Sequence, residues 1–130
     1  MDGFEAVVGE PMGEAEGRVR AALGAEGFGV LAEIDISATL GAKLGVRRPG
    51  LRILAACNPE LANRALEIDP SVSLVLPCNV AIEEHPEGTR VAAVDPTSLF
   101  GSEALRPVAE EAAERLRRVV ARLGGEGGDE

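Results

Sequence analysis

Residues 72–84 place the tightest constraint on what this chain can fold into. Val72, Leu74, Leu76, Cys78, Val80 and Ile82 recur at every second position, the period of a strand that buries one face. Pro77 falls inside the run and cannot donate to a ladder, so it marks an edge, a bulge or a break. Val75 and Ala81 make the second face partly apolar as well, which calls for a cover of helices or another subunit. HPEG at 85–88 then reads as a hairpin turn into TRVAAV, closed by Asp95-Pro96.

The rest of the chain supplies elements to pack against that sheet. FEAVV at 4–8 is a short strand, and Pro11 suits the first turn of a helix carrying Met12, Ala15, Val19 and Leu23, which ends at Gly27. In FGVLAEID at 28–35, Phe28, Val30, Ala32 and Ile34 alternate onto one strand face. A short helix follows, with Asp35 or Ser37 as N-cap, Ile36, Leu40 and Leu44 on one stripe and Gly45 as terminator. VRRPG is a turn, and LRILAAC is a buried strand ending at Cys57. Asn58 as N-cap, Pro59 at the first helical position and Glu60 at the positive end give the clearest helix start in the chain. The last helix carries Leu105, Val108, Ala112, Leu116, Val119 and Leu123 at steps of three and four. Its Glu110, Glu111 and Glu114 precede Arg115, Arg117, Arg118 and Arg122, which complements the helix dipole on a solvated face. This order predicts an α+β fold, a single sheet with helices packed against it, in residues 1–123, and a disordered acidic glycine-rich tail at 124–130.

Composition narrows the function. Aromatic residues are 2% of the chain, with no Trp or Tyr, so the core is aliphatic and a self-associating surface would help it. A net charge of −9 disfavours a phosphate-backbone partner, so no nucleic acid is expected. No apolar run reaches membrane-spanning length, and the N-terminus lacks the pattern of a targeting signal. A cytoplasmic protein with two reduced thiols is the expectation.

Those thiols, in CNP at 57–59 and PCNV at 77–80, are the candidate site. Cys57 would lie beside the first free N–H groups of a helix, an environment that activates thiols and attracts anions, although burial of a small apolar residue at a strand end is the simpler explanation. Cys78 lies in line with aliphatic residues. Asn58 is explained by capping, whereas Asn79, inside an apolar strand, needs partners for its amide, whether a ligand or a backbone break at Pro77. Zinc generally takes four ligands, and the chain has two cysteines and one histidine, His85 in a turn, so no metal site is expected.

EIDI, TLGAKLG, ILAACNP, ALEIDP, LVLPCNV and the closing VDP occur in the order seen in the family catalogued as domain of unknown function 302. From about Glu26 to Pro96 the chain resembles that family. The resemblance implies an α+β fold of the TATA-box-binding-protein-like class, with β-α-β(4)-α order and short extra helices, usually as a homodimer. Cys57, Asn58, Pro59, Pro77, Cys78 and Asn79 match its most recognisable positions. Ala55 stands where the family commonly has glycine, and Leu51 or Arg52 where an aromatic is common.

Together these readings predict a non-catalytic homodimeric binding module without cofactor. Its two C-N motifs, through Cys57, Asn58, Cys78 and Asn79, would form a pocket for a small anionic ligand at the helix N-terminus. The alternative is a thiol-based redox or transfer protein with Cys57 as nucleophile and Cys78 as resolving thiol.

Overall fold

A computed structural model describes residues 1–124. Five strands, β1 (Gly3–Val8), β2 (Gly29–Asp35), β3 (Leu51–Cys57), β4 (Cys78–His85) and β5 (Gly88–Val94), form one sheet in the order β1-β5-β4-β3-β2. Every neighbouring pair is antiparallel. Four helices complete the architecture: α1 (Met12–Ala25), α2 (Ile36–Leu44), α3 (Pro59–Ile68) and α4 (Arg106–Gly124). The expected α+β class and element order hold. Gly124, expected to begin the tail, is the last residue of α4, and 125–130 lie outside the described residues.

Strand alternation sorts the sheet into a covered and an open face. Leu54, Ala56, Val80, Ile82, Val91 and Ala93 are buried beneath α1 and α4, where Val19, Leu23, Leu116, Val119 and Val120 complete an aliphatic core. Burying each such leucine or valine contributes about 1.5–3 kcal/mol relative to leaving it exposed. The amino-terminal half of α4 contributes Val108, Ala109 and Ala112 to a second cluster with Leu61 and Ala65 of α3, Val72, Phe100 and Leu105.

Two strand expectations are corrected. The run at 72–84 is not one strand: Pro70–Val75 coils into a 3₁₀ segment, and the ladder begins only at Cys78. Asp69 starts the coil by accepting the Ser71 N–H at 3.0 Å, and Pro77 has no N–H with which to extend β4 backward. Val72 therefore enters the second cluster while Leu74 is 87% exposed. In β2, the register slips between Val30 and Ala32: Val30 pairs with Ala56 of the covered face, but Ala32 pairs with Ala55 and Ile34 with Ile53 on the open face. A bulge at Leu31 thus splits the four residues expected on one side.

Helix α2 forms as its caps predict. Asp35 accepts the Ala38 N–H at 2.8 Å, and Gly45 closes the helix at φ +68°. No residue of α2 is buried, and Leu44 is 71% exposed.

Candidate functional site

Cys57 ends β3 because Asn58 and Pro59 start α3. The Asn58 side-chain oxygen accepts the Leu61 N–H at 3.1 Å, and its amide nitrogen donates to the Glu26 carbonyl at 3.4 Å. Arg115 donates to that same carbonyl at 3.0 Å. Gly27 follows with φ +85°, and a Cβ there would stand 2.9 Å from the Asn58 amide nitrogen. Asn58 therefore acts as a buried clasp between α3 and the turn after α1.

Glu26, also buried, ties α4 into that turn. Arg118 donates to one carboxylate oxygen at 2.9 and 3.1 Å, and Arg122 to the other at 2.9 Å. The Arg118 hydrogen bonds, reinforced by Arg122, hold the carboxyl below its ordinary range against the opposing effect of burial. Sequence reasoning placed these arginines on a solvated face and passed over Glu26. Nothing in the local pattern around residue 26 signals partners more than ninety positions away.

Cys78 opens β4 opposite Ala56. Burial, with the neighbouring Cys57 adding to it, pushes its thiol up to about 11. Both cysteines are free, Cys57 half-buried and Cys78 buried. They line one cavity of about 20 Å³ together with Phe28, Leu61, Leu76 and Phe100. That is room for about one water, yet apart from Asn58, which also lines it, the walls are apolar.

Asn79 points away from this cavity. It pairs with Ala55 on the open face, is exposed, and its side-chain amide makes no hydrogen bond among the described residues. It borders a groove of about 590 Å³ that also touches Leu74, Pro77, Arg90 and Val94. Three of the four expected site residues are thus brought together, and the fourth lies across the sheet. The α3 N-terminus, where the sequence places an anion pocket, has its N–H groups largely committed. Asn58 already occupies the Leu61 N–H, Pro59 has none to offer, and Glu60 adds like charge beside the remaining one. His85 accepts the Glu87 N–H at 3.1 Å within the hairpin turn, and no three metal-ligating side chains gather among the described residues.

The chemistry available at the CNP motif is therefore that of a dithiol in an apolar cavity. A family model described as "Domain of unknown function DUF302" matches residues 4–123. The chain belongs to the DUF302 family. An uncharacterized conserved DUF302 protein from Bacillus stearothermophilus has a similar crystal structure, with a TM-score of 0.88 and 30% sequence identity over 95% of this chain and 98% of that one. No curated protein matches the chain. In this DUF302 chain no helix among the described residues is long and apolar enough to cross a membrane.

Proposed function

We propose that this DUF302 protein is a non-catalytic, cytoplasmic binding module that works as a homodimer through the open face of its sheet. The observation that carries this reading is the apolar character of a face that no helix among the described residues covers. Ala32, Ile34, Ile53, Ala55, Ala81 and Ala92 lie on it across four strands, and Ile34 is 46% exposed. Its charges are already paired within the chain: Arg90 bonds Glu5 at 2.9 Å and approaches Glu83 at 3.6 Å, and Arg48 bonds Glu83. A second copy would therefore bury apolar surface with little unpaired charge to desolvate. Leu31 and Leu44 are also strongly exposed.

Sedimentation equilibrium tests the reading. The wild type should be a dimer at micromolar concentration, and Ile34→Glu with Ala81→Glu should be a monomer of unchanged circular dichroism. A monomeric wild type, or a variant that still dimerises, overturns it.

A second reading, thiol-based redox or transfer chemistry with Cys57 attacking and Cys78 resolving, is favoured by the cavity the two thiols share. The raised Cys78 pKa opposes it, since little Cys78 thiolate exists at neutral pH to resolve an intermediate. Treating the native protein with hydrogen peroxide and mapping disulfides separates the two: an intramolecular Cys57–Cys78 bond supports thiol chemistry, and oxidation confined to Cys57 removes it.

A further inference from the structure

We infer that Cys57 and Cys78 form a two-coordinate site for a soft monovalent metal ion of the copper(I) class. Four features of the cavity select that chemistry. It holds two thiols on adjacent strands and has the volume of a single small guest, about 20 Å³. Its remaining walls, among them Phe28, Leu61, Leu76 and Phe100, are apolar apart from Asn58, whose amide is engaged with Leu61 and the Glu26 carbonyl. No third cysteine, histidine or carboxylate joins the pair among the described residues, which excludes the four-ligand shell that structural zinc takes. Thiolate is the ligand type that selects copper(I), and a d¹⁰ monovalent ion is content with two sulfurs.

The burial that keeps the Cys78 proton in place does not prevent loading. A metal displaces a thiol proton outright where the free thiol would stay protonated. The step balances as two thiols plus one copper(I) ion giving a bis-thiolate complex of charge −1 and two protons released to solvent, with no change of oxidation state. The half-buried Cys57 provides the entry and the buried Cys78 the dry second ligand. Access by water and by oxidants is limited by the same apolar walls. This site is independent of the open sheet face, so loss of dimerisation and loss of metal are separable results.

The test is anaerobic titration of the full chain with copper(I), under a thiol-free reductant, against bicinchoninate as competing chelator. The wild type should retain one equivalent, and Cys57→Ser and Cys78→Ala, each checked by circular dichroism, should retain none. A second measurement needs no variant: silver(I), a redox-inert surrogate, should protect both thiols of the wild type from alkylation at one equivalent. The inference is overturned if the chelator strips the wild type as readily as it strips Cys57→Ser, or if either single variant still holds its ion. It is equally overturned if silver(I) protects only one thiol.

Discussion

The dipeptide Cys-Asn occurs twice, and its two copies end in opposite circumstances. At Cys57-Asn58 a strand gives way to a helix, so both side chains turn toward the same interior, and the asparagine is buried with both ends of its amide used. At Cys78-Asn79 the strand continues, so successive side chains leave by opposite faces: the cysteine is buried and the asparagine stands exposed on the open face without a side-chain partner among the described residues. The motif by itself carries no environment. The backbone conformation around it decides which atoms meet.

That contrast can be broken by experiment. The largest effect concerns the thiols. With its pKa raised from 9.0 to about 11, Cys78 in the native protein should alkylate on the order of 100-fold more slowly than in the unfolded chain. Cys57, half-buried at the strand end, should react first. Equal rates in mass-resolved iodoacetamide labelling would mean that the two cysteines share one environment.

Next come the asparagines. Asn58→Ala removes the α3 cap and one of two donors to the Glu26 carbonyl, and urea unfolding should show a loss of about 2 kcal/mol. Asn79→Ala should stay within about 0.5 kcal/mol of wild type, as at other exposed sites. A comparable loss at both positions would sink the distinction between clasp and surface residue.

A smaller effect sharpens the description of the clasp. The folded Glu26 pKa lies below its ordinary value of 4.5, so its contribution is complete above that value and is lost as pH falls through the folded pKa. Glu26→Gln should therefore cost about 1–2 kcal/mol at pH 7, a figure between exposed and buried ion pairs. The gap to wild type should narrow as pH falls below 4.5 and close once the lowered folded pKa is passed. A gap that persists in acid would show that Glu26 acts by shape and not by charge.

Much of the fold was legible in the residues, and the failures are specific. Asn58-Pro59, Asp35 and Gly45 marked helix ends correctly because capping is a local matter of one side chain and its next few N–H groups. The period-two run at 72–84 misled because alternation cannot reveal that Pro70 and Asp69 favour a 3₁₀ turn, nor that Val72 has a partner in a separate cluster. In β2 the pattern Phe28, Val30, Ala32, Ile34 was read as one face, but the bulge at Leu31 redistributes it. One extra residue reverses every side chain beyond it. Of the candidate site, the cysteines and Asn58 could be named from their motif. Their shared cavity, and the separation of Asn79 from it, could not.

What the sequence by itself determined is local: where strands and helices lie, which residue caps each helix, and that the core is built from aliphatic side chains. What only the tertiary structure decided is long-range: that Asn58 and Arg115 converge on the Glu26 carbonyl, that Arg118 and Arg122 close on its carboxylate, and that two thiols line one apolar cavity. The physical reason is range. Capping and side-chain period act over a few residues, whereas these contacts join positions that become neighbours only when α1, α3 and α4 settle around the sheet.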